Sequence, residues 1–403
     1  MPTNQPSRQV PPAPDRSSRL VLFLTVFIDL LGFGIVIPFL PMFARQLGIS
    51  AFGTGWILAI YSLAQLICAP MLGRISDRVG RRPIIMIGLL GSSVSYFLYG
   101  FANSFALLLL SRAIHGACAA TVPTAQAYIA DTTSEEGRAR GMGLIGAAFG
   151  LGFVLGPVIG GVLGHASLKV PVFFASVLTF ANLIFAAKRL PESHRPEPGA
   201  SIDVATLVTP LLALPGQLIG HHLARLFWVA FLQTFALASL ELTFALMVPA
   251  LYGYGAMGVG LLLGYAGLTQ AIAQGWLLGK IVQRVGEPML VRAGLITLAV
   301  GMFPMGMLRN VGALLILLAM VSIGYGLASP SVASLISRRT RQHKQGEVLG
   351  VNQSALSLAR IFGPLVGGEL YRMMGPAAPY VGGAIVAVGA LILANGIGQE
   401  RPN

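Results

Sequence analysis

The chain has 403 residues, of which 55% are hydrophobic and only 10% charged, and its formal net charge is +13. An ordinary soluble domain carries about 25% charge, and a soluble surface this apolar would aggregate, so the composition excludes a water-soluble fold. Long continuous apolar runs exclude a β-barrel, whose spanning strands are short and alternating.

Residues 1–19 are rich in Pro, Ser and Arg and read as a disordered cytoplasmic tail. The first apolar run, 20–43, is longer than the core of a secretory signal and reads as a retained helix. Stretches of roughly 20 apolar residues, the length that crosses a bilayer, follow near 52–73, 83–101, 105–129, 139–164 and 170–190. A break at 191–222 holds Pro191, Pro196, Pro198, Pro210 and Pro215. Six more runs lie near 223–251, 256–279, 288–307, 311–334, 347–371 and 377–397. The expected fold class is an all-α membrane protein of twelve transmembrane helices. The domains are a bundle at 20–190, a cytoplasmic linker at 191–222, a second bundle at 223–397 and a tail at 398–403. The 50 glycines fit this class, because small residues let membrane helices approach closely.

Charge sets the orientation. With the amino terminus cytoplasmic, four of the 27 Lys and Arg residues (Arg45, Lys169, Arg309 and Arg372) fall outside, and Arg112 and Arg360 lie within spans. The other 21 are cytoplasmic. That asymmetry satisfies the positive-inside rule, places both termini in the cytoplasm and accounts for the net charge without nucleic acid. Cys68 and Cys118 fall in apolar runs and read as packing residues.

The two halves repeat. Gly73-Arg74-Ile75 and Arg78-Val79-Gly80 recur as Gly279-Lys280-Ile281 and Arg284-Val285-Gly286. Gly156-Pro157 with Gly160-Gly161 recurs as Gly363-Pro364 with Gly367-Gly368. Pseudo-symmetric six-helix bundles with a site between them are a transporter architecture.

The loop Gly73-Arg74-Ile75-Ser76-Asp77-Arg78-Val79-Gly80-Arg81-Arg82-Pro83 is similar to the signature loop of the major facilitator superfamily. Gly73 would permit close helix contact, and Asp77 could sit at a neighbouring helix N-terminus, where the dipole favours an anion. The resemblance implies a conformational latch at Gly73, Asp77, Arg78, Gly80 and Arg81. The second copy has Gln283 in place of Asp77, so the latch is expected on one side only. In the fifth span Gly143, Gly152, Gly156, Pro157, Gly160 and Gly161 resemble the antiporter motif of drug/proton exchangers, where a smooth, bent helix resists leak between the halves. Asp29-Leu30-Leu31-Gly32-Phe33-Gly34 resembles the first helix of tetracycline-type efflux proteins. The fourth span, with Arg112, resembles the family's motif with an intramembrane arginine, His115 standing where the family usually has Gln. Two departures speak against tetracycline itself as cargo: Gln270 aligns with those exporters' eighth-span histidine, and Leu298 with their ninth-span acid.

Intramembrane charges are costly and mark function. Proton coupling is therefore assigned to Asp29, Arg112 and Glu241, with Asp29 the expected partner of Arg112. Candidate cavity residues are Phe33, Tyr61, Gln65, Gln126, Gln233, Gln270, Gln274, Tyr325, Asn352 and Arg360; each polar one has a helix–helix hydrogen bond as its alternative. Phe235 is a further aromatic candidate, and His115 a further member of the Arg112 network. His221 and His222 lie in the linker. No metal cluster, P-loop or nucleophile elbow is present, so an enzyme is not expected. The resemblance implies a monomeric proton-coupled exporter of drug-like molecules in the bacterial inner membrane. The proton is its coupling ion and it has no cofactor; its partners are a small-molecule substrate, protons and the lipid bilayer. A proton symporter for a sugar or carboxylate is the alternative, and a non-transporting receptor a more distant one.

Overall fold

The computed structural model describes the backbone of residues 16–132, 135–193, 223–340 and 345–396, and the side chains of 20–132, 144–193, 223–340 and 348–396. The rest of the expected tails and linker, His221 and His222 among them, lies outside the described residues. Every described element is helical. The first span is α1 (Arg16–Val36), a 3₁₀ turn at Ile37–Phe39, and α2 (Leu40–Gln46). It breaks where Pro38 and Pro41 each remove a backbone donor. Then come α3 (Ala51–Val79), α4 (Arg81–Gly100), α5 (Phe105–Cys118), α6 (Thr121–Thr132), α7 (Glu135–Gly164) and α8 (Lys169–Arg189). The carboxy-terminal half holds α9 (Ala224–Tyr252), α10 (Ala256–Ile272), α11 (Leu278–Val285), α12 (Glu287–Met302), α13 (Val311–Arg338), α14 (Gln345–Met374) and α15 (Ala378–Asn395).

These helices make twelve spans, because the first, fourth and eighth runs each hold two helices. The 105–129 run is interrupted at Ala119–Ala120, and α6 restarts with Pro123 in its first turn, where a missing N–H costs nothing. The eighth span passes from α10 to α11 through a π-helical turn, Ala273–Leu277, of the kind that marks functional positions. The 288–307 run ends as helix at Met302 and closes in a turn with Gly306 at φ +87°. Among the described residues, ten helical segments are long and apolar enough to cross a membrane. Their outer faces carry exposed Val177, Ile316, Ile385 and Ile392, which lipid accommodates.

The pseudo-repeat is structural. Gly80 (φ +103°, ψ 162°) joins α3 to α4, and Gly286 (φ +76°, ψ 163°) joins α11 to α12 in the same left-handed turn. Side chains cap the N-termini of α5 and α13 alike: Ser104 accepts from Leu107 N and Asn310 from Ala313 N.

Among the described residues, the two halves come into backbone contact at one end of the molecule. At the end away from the Gly80 and Gly286 turns, a Cβ on Gly55 of α3 would lie 2.7 Å from Pro364 O of α14, and one on Gly368 would lie 2.5 Å from Ala51 O. Likewise Gly161 of α7 packs on Ala256 and Gly260 of α10, and Gly267 packs on Phe153 O, the carbonyl that Pro157 leaves without a helical donor. At the turn-bearing end, which we call the latch end, the same helices stand apart. Gly73, Gly146, Gly150, Gly275, Gly279 and Gly350 have open space where a Cβ would be. Among the described residues the halves are thus in backbone contact at one end and stand apart at the latch end.

Candidate functional site

In the amino-terminal half, close backbone approaches build the site. A Cβ on Gly116 of α5 would collide with the carbonyl of Tyr61, so α3 lies directly on α5 and its Tyr61 ring sits over the guanidinium of Arg112, 4.7 Å from the ring centroid. Arg112 is wholly buried. Its Nη1 is bonded to Nδ1 of His115 at 2.9 Å. The rings of Tyr61, Tyr96 and Phe33 surround His115 at 5.1, 4.9 and 6.1 Å, and Phe33 also meets Phe153 at 6.1 Å.

Asp29 lies on α1. Gly88 of α4 packs against Thr121 and Gly91 against Cys118, which draws the α5–α6 break inward. Asp29 is thereby within reach of the hydroxyls of Thr121 and Ser92. The expected Asp29–Arg112 ion pair does not form: among the described residues no carboxylate pairs with Arg112, and its Nε and Nη2 have no partner.

In the carboxy-terminal half Glu241 is exposed although it sits mid-helix with protein mass around it. It lines the opening between the halves. Arg360 is half-buried and close enough to influence Glu241 electrostatically, but the two form no ion pair. Tyr325 OH is 3.5 Å from Thr234 Oγ1. Gln65 donates to Ala119 O at 3.4 Å. Gln270 packs beside Gly326, Gln126 is exposed, and Gln274 is exposed on the π turn. Gln233 and Asn352 are buried, each with an unpaired carbonyl oxygen. Phe235 packs on Phe231 at 6.0 Å.

The described latch residues gather around Arg81. The carboxylate of Asp77 pairs with it at 2.5 Å. Arg81 also pairs with Asp131 of α6 at 2.8 Å and donates to Ser76 at 2.6 Å. Glu192, which the sequence reading missed, accepts from the backbone N–H groups of Arg81 and Arg82 at 2.8 and 3.1 Å. Its carboxylate caps the positive end of α4. A Cβ on Gly73 would meet no described atom within 4 Å. Arg78 lies in the last turn of α3.

The antiporter-motif glycines divide between two partners, where one smooth face was expected. Gly152, Gly156 and Gly160 pack on Leu30, Gly34–Ile35 and Phe39 of the first span, within their own half. Of the motif residues whose side chains are described, Gly161 and, through its carbonyl, Pro157 meet the other half. The second copy does the same: Gly363 and Gly367 pack on α9, and Gly368 on α3. Gly143 lies in α7, with its surroundings outside the described side chains.

Twelve spans in two repeated halves, joined at one end around a central opening, define a secondary transporter. The family model described as Major Facilitator Superfamily matches residues 22–364 and 268–398, and the chain belongs to that superfamily. It is 32% identical over 358 residues to Multidrug resistance protein 1 of Bacillus subtilis (strain 168), covering 87% of this chain and 89% of that one. It is 34% identical over 373 residues to Tetracycline resistance protein, class C, of Escherichia coli, covering 87% and 89%. Among solved structures, the human organic anion transporter MFSD10 (TETRAN) superposes with a TM-score of 0.71 at 27% identity, covering 94% of this chain and 99% of that one. The protein is a multi-pass membrane transporter of small molecules.

Proposed function

We propose that the chain exports lipophilic, drug-like molecules in exchange for protons, by alternating access, in the bacterial inner membrane. The observation that carries this reading is the placement of two mid-span acids, one in each half. Asp29 is inside the amino-terminal bundle and Glu241 is on the wall of the opening, and neither is locked in an ion pair. An unpaired carboxylate whose hydration changes as the opening switches sides can take up and release a proton. The latch end is taken as cytoplasmic because the basic residues crowd there. The state described is then open to the cytoplasm, ready to load cargo. The protein acts as a monomer, with the proton as coupling ion and no cofactor. The multidrug and tetracycline resistance relatives support export as the direction.

Proteoliposomes with a pH-sensitive dye trapped inside test the reading. Addition of lipophilic cationic dyes and antibiotics should drive proton movement opposite to the cargo. Absence of proton flux across the whole panel, or protons moving with the cargo, would overturn it. The half-buried Arg360 favours one second reading, in which the cargo is an organic anion. A lipophilic carboxylate in the same panel separates the two.

A further inference from the structure

The interior of the amino-terminal bundle contains more unpaired polar atoms than packing alone tolerates. Arg112 is fully buried, yet its Nε and Nη2 donate to nothing. Oδ1 of Asp29 and the hydroxyls of Tyr96 and Thr179 are also buried and without partners. These groups come from four elements and converge. Tyr96 is in ring contact with His115 at 4.9 Å, and His115 is bonded to Arg112. A Cβ on Gly32, three residues past Asp29, would lie 3.0 Å from Thr179 Oγ1 and 3.6 Å from the Tyr96 ring. Tyr96 feels the charges of both Asp29 and Arg112.

An unpaired buried polar group carries its full desolvation cost, which is larger when the group is charged. A buried site with several polar partners meets that cost by holding water, which typically makes about three hydrogen bonds. Here the donors of Arg112, the acceptor of Asp29 and the amphoteric hydroxyls of Tyr96 and Thr179 form such a set.

We propose that these four side chains hold a cluster of ordered water inside the amino-terminal bundle, and that the Tyr96 hydroxyl is the positioning group linking the Asp29 carboxylate to the Arg112 guanidinium through it. The linkage replaces the direct ion pair. It lets the carboxylate gain or lose its proton through hydrogen-bonded water without the two side chains moving together. The titratable and charged groups facing Tyr96 are Asp29 from α1, Tyr61 from α3, and Arg112 with His115 from α5; α8 contributes the uncharged Thr179. The inference rests on proton coupling as proposed above, but its structural part does not.

Two measurements test it. Hydroxyl-radical footprinting of the purified wild-type protein reads internal water directly. Tyr96 should be labelled well above Phe244, which is equally buried in the other half; labelling of Tyr96 at the Phe244 level would overturn the water cluster whatever the protein transports. Tyr96→Phe keeps the ring against His115 and deletes only the hydroxyl. The variant should bind cargo and exchange it in counterflow as the wild type does, while its proton-driven transport falls by about tenfold and its pH profile moves by about one unit. An unchanged rate and profile would overturn the positioning role. Loss of counterflow together with proton-driven transport would also overturn it, as a purely structural defect. If the wild type moves no protons, the proposed function fails, and footprinting still decides the water cluster.

Discussion

Nη1 of Arg112 and Nδ1 of His115 are joined at 2.9 Å across one turn of α5. Because a guanidinium only donates, Nδ1 must accept, which fixes the imidazole as neutral with its hydrogen on Nε2. His115 therefore serves as an acceptor for a buried cation. The side-chain carbonyl of Gln, the residue usual in the family at this position, can do the same. His115→Gln should retain thermal stability and transport. His115→Leu leaves a third guanidinium nitrogen unpaired and should lower unfolding stability by about 1–3 kcal/mol. Thermal unfolding of the purified variants checks this; equal losses for Gln and Leu would contradict it.

The seal between the halves rests on backbone contact. A Cβ at Gly260 collides with the carbonyl of Pro157, and Gly161 lies opposite. Gly260→Val should therefore prevent closure at that end and bias the protein toward the opposite state. The readout is a cysteine at Leu365, which is sealed against Gly55, in a chain whose Cys68 and Cys118 are replaced by serine. Its labelling by an impermeant thiol reagent should rise about tenfold in the Gly260→Val background, the signature of a shifted two-state population. Gly275→Val, which meets open space in this state, should not raise it.

The halves carry the same bridge with reversed charge. At the start of α4, Arg81 pairs with Asp131 of α6. At the start of α12, Glu287 pairs with Arg338 of α13 at 3.3 Å and accepts from Ser334 at 2.6 Å. The Arg338 side chain is 73% exposed against 12% for Glu287, so the ion pair itself contributes about 1 kcal/mol or less. Glu287→Ala also strips Ser334 of its acceptor and should destabilise more than Arg338→Ala does. The swap Glu287→Arg with Arg338→Glu should recover the pair but not the serine bond. A chemical or thermal stability series across these variants decides the matter; a larger loss for Arg338→Ala would contradict the assignment.

The sequence made the architecture readable because lipid imposes a coarse rule: runs of about 20 apolar residues, and basic loops on one side. The repeats at Gly80 and Gly286, and at Gly156 and Gly363, announced the pseudo-symmetry that the backbone shows. What stayed hidden depends on contacts between distant segments. Tyr96 is in a span with no charged residue near its middle, so nothing in its neighbourhood signals that it meets Arg112 and His115. Glu192 looked like the start of a linker, and only the fold carries it to the start of α4. The ion pair between Asp29 and Arg112 was a reasonable inference from charge alone. In the fold the guanidinium instead meets the Tyr61 ring and His115. The latch was legible as a motif, but not that Asp77 takes Arg81 as its partner.

The central claim is that mid-span carboxylates couple cargo to protons. Everted membrane vesicles with an imposed pH gradient, acidic inside, test it most directly. Wild type should concentrate a lipophilic cationic dye. Glu241→Gln should lose gradient-driven uptake while keeping gradient-independent counterflow, and Asp29→Asn should do the same. Gradient-driven uptake at the full wild-type rate in both variants would contradict the account.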